Sequence, residues 1–213
     1  MKDRAQITLI IVSVFLLNAI LIAQTKEWNI EITGDDSITV KSRIAERIDE
    51  KGDEMQLIEY TATTTASVSL HNCISVLKEV SNHKEFTDDE ISQKVETLSD
   101  HEWVVYYYTN PPWPVPDNDC VAKMSLSEEE SQRTAIFTLS AAPSMYEMKD
   151  VRRMTYYEVT YEFKDLGTGK IEMTVASKSS PTVQFPAWMI SAWFPEGPAD
   201  ILRTIIRLAN SIQ

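Results

Sequence analysis

Glycine, histidine and basic residues are scarce in this sequence. It has only five glycines in 213 residues, and phosphate-binding loops are rich in glycine. Neither of the phosphate-binding motifs G-x-G-x-x-G and G-x-x-x-x-G-K-[ST] occurs. The 20 lysines and arginines are outnumbered by 32 aspartates and glutamates, which gives a net charge of −12. Nucleic-acid binding needs cations that displace the counterions of phosphates. The charge balance therefore argues against a nucleic-acid partner.

Residues suited to catalysis or metal binding are also sparse. The sequence has no G-x-S-x-G motif to expose a nucleophilic serine and no H-E-x-x-H motif for zinc. The histidines His71, His83 and His101 fall in separate predicted elements, and we expect each at the surface or at a helix end. The sequence therefore predicts no catalytic residue, no metal site and no cofactor.

The sequence has two cysteines, Cys73 and Cys120. They could form one disulfide in an oxidising compartment, and two buried free thiols are an equally good alternative. Neither cysteine belongs to a C-x-x-C pair, which argues against a zinc site.

The first 24 residues have the pattern of a signal peptide. Lys2 and Arg4 precede an apolar run over residues 7–23, and the composition becomes polar at Gln24. Cleavage at this point would release residues 25–213 as one domain outside the cytoplasm, periplasmic or secreted. Because the apolar run also reaches the lower limit for a membrane span, an uncleaved anchor that holds the domain outside the cytoplasm is the alternative.

The sequence after this segment begins with strand patterns. Alternating apolar and polar residues predict strands over 28–33, 37–48 and 55–65. Ser67 then offers an N-cap for a helix. The polar residues 82–89 predict a loop, whereas 90–98 fits a helix and a strand equally well.

Further strands are predicted in the second half. Residues 103–108 are apolar on both faces, which is typical of a buried central strand. Short alternating segments separated by turns predict four antiparallel strands, over 119–126, 133–140, 155–163 and 170–177.

Two helical stretches end the chain. Pro186 fits the first position of a helix, and a proline-containing segment over 195–198 interrupts it. The apolar stripe of the first stretch is Trp188, Met189, Ala192 and Trp193, and that of the second is Ile201, Leu202, Ile205, Leu208 and Ile212. This order of elements predicts an α+β helix-grip fold, in which a curved antiparallel β-sheet wraps around a long C-terminal α-helix and leaves an internal hydrophobic cavity.

Several short motifs resemble those of START domains, the lipid-transfer family related to steroidogenic acute regulatory protein. Residues 113–119, Trp-Pro-Val-Pro-Asp-Asn-Asp, are similar to the family's W-P-[LV]-x-D-R-D segment. Pro143 after a strand, Val151-Arg152 before the next strand, and Phe185-Pro186-Ala187-Trp188 at the start of the last helix follow in the family's order. The resemblance covers residues 27–212. It implies a monomer that binds, and transfers, a lipid or other hydrophobic small molecule without chemistry.

The sequence departs from the family pattern at three positions. Asn118 stands where the family usually has an arginine that anchors the loop by charge. The resemblance also places Val105 and Met124 where some sterol-binding members have an acidic and a basic residue in the cavity. It therefore implies a more apolar ligand, or one bound through hydroxyl groups, rather than a sterol held by an ion pair.

The predicted strand faces and the closing helix supply a candidate ligand-binding cavity. Alternation places Trp103, Val105 and Tyr107 on one face of their strand and Cys120, Ala122 and Met124 on one face of the next. We expect these residues, with Met189 and Trp193, to line the cavity, the alternative being that they only fill the core.

A gate for the ligand is expected in the proline-rich loop 110–116, at Trp113 and Pro114. The apolar pair Trp193-Phe194 could also make transient contact with a membrane surface.

Two other functions remain open. The same architecture could act as a cyclase-like or hydratase-like enzyme on a hydrophobic substrate, with tyrosine and glutamate as acid and base. Alternatively, the cavity is vestigial and the acidic surface binds a basic partner.

Overall fold

The alternating segments of the sequence form the strands of an antiparallel sheet. The computed structural model describes residues 27–34 and 36–212. Within them the strands are β1 (Asn29–Ile32), β2 (Thr39–Ile48), β3 (Glu54–Ala66), β4 (Ile91–Ser99), β5 (Glu102–Thr109), β6 (Asn118–Glu129), β7 (Thr134–Ala141), β8 (Arg152–Met154), β9 (Tyr157–Asp165) and β10 (Ile171–Ser179). Their order is β1-β2-β3-β10-β9-β7-β6-β5-β4, and β8 pairs in parallel with β6.

The helices lie in two groups along the chain. Between β3 and β4 are α1 (Leu70–Lys78), a short 3₁₀ helix (Val80–Asn82) and α2 (Lys84–Thr87), and after β10 come α3 (Ala187–Trp193) and α4 (Glu196–Ser211). Ser69 caps α1, since its hydroxyl accepts a hydrogen bond from the backbone N–H of Asn72 at 3.0 Å. The N-cap predicted at Ser67 is therefore wrong by two residues.

The core lies where α4, α1 and α2 pack against the sheet. Helix α4 buries Ile201, Leu202 and Ile205 on one side, which confirms the predicted apolar stripe for these three residues. Leu208 is only partly buried, and Ile212 lies beyond the helix end and is exposed. The architecture is the predicted α+β helix-grip fold, with the 16-residue helix α4 held against the curved sheet.

Strand β5 is buried on both faces, as its apolar sequence predicts. One face contributes Trp103 and its alternate neighbours to the main core, while Val104 and Tyr106 form a second cluster on the opposite face. Tyr146 covers this second cluster, with its ring centroid 5.1 Å from that of Tyr106. The strand is not central, however, because it lies next to the edge strand β4.

Other local predictions are corrected by the structure. The segment predicted as a loop over 82–89 contains helix α2, and the ambiguous segment 90–98 is strand β4. The short strand β8 was not predicted, because three residues are too few to show a period. The stripe predicted to be the inner face of α3 is largely exposed, and the buried residue of this helix is Ile190.

The predicted signal peptide, residues 1–24, lies outside the described residues. Among the helices of the described part, none has the length and apolar character needed to cross a membrane.

Candidate functional site

A pocket of about 600 Å³ lies between the sheet and the helices α2, α3 and α4. Strands β3, β9 and β10 supply one wall, and the segment around α2 together with the α3–α4 junction supplies the other. The sheet wall consists of Ile58, Tyr60, Tyr157, Val159, Tyr161, Ser177 and Ser179. The helical wall consists of Glu85, Phe86, Thr87, Asp88, Ala192, Trp193, Glu196, Gly197, Asp200, Ile201 and Thr204.

Three tyrosines and two serines give the sheet wall its polar groups. Tyr157, Val159 and Tyr161 alternate along β9, so all three point to the same side of the sheet. Burial raises the pKa of Tyr60 to about 12 and raises the pKa values of Tyr157 and Tyr161 well above 10. These hydroxyls therefore stay protonated at neutral pH and can donate hydrogen bonds to a bound molecule.

Tyr161 has an unused hydrogen-bonding group. The residue is 3% exposed and lines the pocket, and among the described residues none hydrogen bonds its hydroxyl. Its ring packs edge-on against Phe86, with the ring centroids 6.1 Å apart. A hydroxyl that faces a pocket can hydrogen bond to water or to a ligand there. The pocket thus offers a ligand the hydroxyl of Tyr161, beside those of Tyr157, Ser177, Ser179 and Thr204 that also line it.

His83 and Tyr107 form a buried polar pair beside the pocket tyrosines. The His83 Nε2 lies 2.9 Å from the carbonyl oxygen of Leu77, which can only accept, so Nε2 carries the hydrogen. The other ring nitrogen, Nδ1, therefore accepts from the Tyr107 hydroxyl at 2.7 Å. Burial lowers the pKa of His83 to about 4, which keeps the ring neutral.

This geometry corrects the expectation for His83. The residue does stand at a helix end, as the N-cap of α2, but it is 1% exposed and belongs to the interior. The Tyr107 ring lies 6.4 Å from that of Tyr157, so the pair extends the line of tyrosines beyond the pocket wall.

Asp89 is held between two threonine hydroxyls behind the pocket. Thr87 donates to one of its carboxylate oxygens at 2.5 Å and Thr109 donates to the other at 2.7 Å. Desolvation raises the pKa of Asp89 to about 6, and the threonine hydrogen bonds oppose this shift only in part. The carboxylate ties the end of α2 to the end of β5.

Aromatic side chains close the pocket at the α3–α4 junction. The Trp193 ring packs edge-on against Tyr60, with the centroids 5.4 Å apart, and Phe194 contacts both rings. Gly197 makes this possible, because a Cβ at this position would lie 1.9 Å from the Trp193 ring. The indole therefore lies directly on the backbone of the first turn of α4.

Most predicted cavity residues are not at this pocket. Trp193 lines it, whereas Met189 is 42% exposed on α3 outside the described lining. The six predicted strand residues are all buried in the main core and do not border the pocket: Trp103, Val105, Tyr107, Cys120, Ala122 and Met124. The alternation correctly predicted which side of each strand faces the core. The pocket, however, lies further along the sheet, against β3, β10 and β9.

The predicted gate residues also lie away from the pocket lining. Trp113 is 92% exposed, and neither Trp113 nor Pro114 borders the described pocket. Their role as a gate stays a prediction.

A buried ion pair holds the segment that follows the Asn118 position. Arg153 makes two hydrogen bonds to the carboxylate of Asp119, at 2.9 and 2.6 Å, and both side chains are almost fully buried. The same guanidinium donates to the backbone carbonyls of Pro143, Tyr146 and Glu147. A buried arginine from β8, which the sequence did not reveal, therefore lies next to this position and holds the loop through Asp119.

The cysteines are both free and buried. Burial raises the pKa of Cys73 to about 12, and it also raises that of Cys120. Both thiols are therefore protonated and act as small apolar groups. The described residues contain no group of three or more His, Cys, Asp or Glu side chains placed to hold a metal ion.

The fold resembles that of solved lipid-transfer domains. The STAR-related lipid transfer protein from Xanthomonas axonopodis superposes with a TM-score of 0.69 at 16% identity, covering 86% of this chain and 99% of that one. Human STARD10 superposes with a TM-score of 0.67 at 15% identity, covering 87% of this chain and 74% of that one. This chain has the START fold. No protein-family model and no curated protein sequence matches it.

The START fold is also similar to that of an enzyme. The Zhui aromatase/cyclase from a Streptomyces species has a TM-score of 0.51 at 10% identity, covering 72% of this chain and 94% of that one. At these identities the likeness concerns the fold alone, so function depends on the residues of the pocket.

Proposed function

We propose that this protein binds a hydrophobic small molecule, such as a lipid, in the pocket between the sheet and α4, and does so without chemistry. The observation that carries the proposal is the pocket itself, since about 600 Å³ lies within the usual range of ligand sites. Its walls are apolar or aromatic at Ile58, Phe86, Val159 and Ile201. START-type neighbours that are named as lipid transfer proteins support the same class of ligand.

The pocket can supply enough binding free energy for such a ligand. Removing 300 Å² of apolar ligand surface from water contributes about 7 kcal/mol before the costs of association. The unpartnered hydroxyl of Tyr161 adds a fixed point for one ligand oxygen. These terms support micromolar affinity with a preferred orientation.

Native mass spectrometry with lipid extraction tests the proposal. The protein is purified from the export compartment of its own host, and we expect a co-purifying hydrophobic molecule close to one per chain. Protein that emerges empty, and stays empty after incubation with a host lipid extract, would overturn the proposal.

Filling the pocket provides the matched variant. Thr204→Trp places a large ring in the pocket lining, and Asn210→Trp adds the same ring at an exposed position of the same helix. We expect the first variant to lose the co-purifying molecule and the second to retain it.

Catalysis on a hydrophobic substrate is the second candidate, and the Zhui-like fold favours it. The pocket carboxylates give it less support, because they lie at the mouth, where Arg203 and Arg207 pair with three of them. A general acid or base needs to reach the reacting atoms inside the site. Release of a chemically altered product from the co-purifying molecule would favour the enzyme over the carrier.

We further propose that the domain works outside the cytoplasm and delivers its ligand through contact with membranes. Trp193 and Phe194 pack on Tyr60, but Trp188 on the same short helix is 69% exposed. Tryptophan is favoured at membrane interfaces. We expect Trp188→Ser to weaken cosedimentation with neutral phosphatidylcholine vesicles, while Leu98→Ser, on the edge strand β4, does not. Equal binding of both variants and the unmodified protein would contradict this contact.

A further inference from the structure

The mouth of the pocket is lined by acidic side chains. Glu85 and Asp88 come from α2 and its C-terminal cap, and Glu196 and Asp200 come from the first turns of α4. Among the described residues that line the pocket there is no lysine, arginine or histidine. A charged ligand group at this mouth would therefore meet carboxylates first.

Two arginines lie behind these carboxylates and neutralise them only in part. Arg203 contacts Glu196 at 2.7 Å and Asp200 at 2.6 Å, and it also pairs with Asp36 outside the pocket. Arg207 contacts Glu85 at 2.7 Å. Neither guanidinium belongs to the pocket lining.

Asp88 adds a charge that these arginines do not compensate. It is exposed, lines the mouth, and forms no ion pair with the other described residues. The mouth thus has an excess of negative charge. The protein walls on both sides have a low dielectric constant, which strengthens the electric field of this charge.

The interior behind the mouth is neutral and aromatic. Tyr60 and Trp193 present ring surfaces close to the carboxylates, and such rings attract cations. Further in, Ile58, Phe86 and Val159 suit an apolar chain. The side chain of Tyr161, which is 3% exposed and makes no hydrogen bond to the other described residues, also lines this pocket and offers an occupant a polar group.

We propose that the ligand of this pocket is a cationic amphiphile, whose apolar body lies against the sheet and whose ammonium head lies among Glu85, Asp88 and Asp200. The inference deepens the proposed function and depends on it. It excludes fatty acids and acidic phospholipids as preferred ligands, because their anionic heads would face carboxylates that the two arginines neutralise only in part.

Amphiphiles with one common tail test the charge preference. Dodecyltrimethylammonium, dodecyl maltoside, dodecylphosphocholine and dodecyl sulfate share a twelve-carbon chain and differ in the head group. Isothermal titration calorimetry of the purified protein is carried out below the micellar concentration of each. We expect the cation to bind about tenfold more tightly than the uncharged maltoside, with the sulfate weakest. Added salt should reduce the difference.

The four probes also separate the two sources of an ammonium group. Preference for the simple ammonium over the phosphocholine supports a cationic ligand. Preference for the phosphocholine would overturn that assignment in favour of a zwitterionic lipid head.

Variants that remove one carboxylate test whether the charge at the mouth causes the preference for a cationic head group. Asp88 has a positive φ of 58°, a conformation that asparagine adopts readily, so Asp88→Asn removes the charge with little strain. We expect it to weaken binding of the cation about threefold and to leave maltoside binding unchanged. Asp100→Asn removes an equal charge from an exposed turn outside the pocket and is the matched control.

The failure of this inference differs from the failure of the proposed function. Equal affinity for all four probes would overturn the cationic ligand and leave the carrier function in place. Absence of binding by every probe, together with empty protein from the host, would overturn both.

Discussion

The buried His83 and the partly buried Asp89 flank helix α2, and their pKa values shift in opposite senses. Burial lowers the pKa of His83 from 6.5 to about 4 and raises the pKa of Asp89 from 3.8 to about 6. Between pH 6.5 and 4 the unfolded chain therefore protonates His83 while the folded protein does not, so this residue lowers stability as the pH falls. Asp89 is protonated more readily in the folded protein, so it raises stability as the pH falls.

The two effects oppose each other, and substitution of one residue exposes the other. We expect Asp89→Asn to lose stability more steeply than the unmodified protein between pH 6.5 and 4, because only the His83 effect remains. His83→Gln should show the reverse change of slope. Urea denaturation at a series of pH values measures both slopes, with the surface variant His101→Gln as control. An unchanged slope in Asp89→Asn would contradict the assigned burial.

Residue-level prediction of the site was limited by packing. The alternation in β5 and β6 correctly places Trp103, Val105 and Met124 in the interior. It carries no information about which stretch of an inward face stays unfilled, because that depends on sheet curvature and on where α3 and α4 lie. The inward alternation of Tyr157, Val159 and Tyr161 was available as a signal for the pocket wall.

At the scale of elements, the joint between α3 and α4 depends on one glycine. The Trp193 indole occupies the space that a side chain at Gly197 would need. We expect Gly197→Ala to displace the indole from Tyr60 and to weaken ligand binding. The free energy of unfolding should change by less than about 1 kcal/mol, because the better helix propensity of alanine offsets lost packing.

A double-mutant cycle checks this assignment. In a Trp193→Ala background, the Gly197→Ala change should have no further effect on ligand affinity, since the displaced ring is absent. Additive effects of the two substitutions would contradict it.

The loop between β7 and β8 is fixed by the buried pair of Asp119 and Arg153. Because Arg153 also binds three loop carbonyls, removal of its partner leaves a buried, unpaired charge. We expect Asp119→Ala to lower the free energy of unfolding by about 3–5 kcal/mol in urea denaturation. Glu147→Gln removes an exposed ion pair with Lys149 in the same loop and should cost less than about 1 kcal/mol. Similar losses in both variants would argue against the pair as the anchor.

Strands were predicted better than the short helices for a physical reason. Strand β9 and its neighbours bury one face, so burial imposes a period of two on their sequences. Helix α2 spans four residues, which are too few to show a helical period. His83, the N-cap residue of this helix, has a buried ring. The ring is recognisable as interior only once Tyr107 and Leu77 are placed around it.

At the scale of the whole molecule, the acidic net charge favours the same cationic ligand that we propose for the pocket. A net charge of −12 gives the protein a long-range attraction for cations, and the carboxylates at the mouth direct it to one place. The same charge disfavours stable binding to anionic membranes. The proposed contact with a membrane through the exposed Trp188 would then be brief, which suits the proposed carrier function.

Export of the domain is the prediction at this scale. Every described strand and helix begins at or after Asn29, so removal of the segment before Gln24 or Thr25 leaves the sheet and the pocket intact. We expect the intact mass of protein from the export compartment to match a chain that begins at one of these two residues. Full-length chain in the membrane fraction, with the domain open to external protease, would instead establish the anchored form. Full-length chain in the cytoplasm would contradict both, because the apolar run over 7–23 would then direct no export.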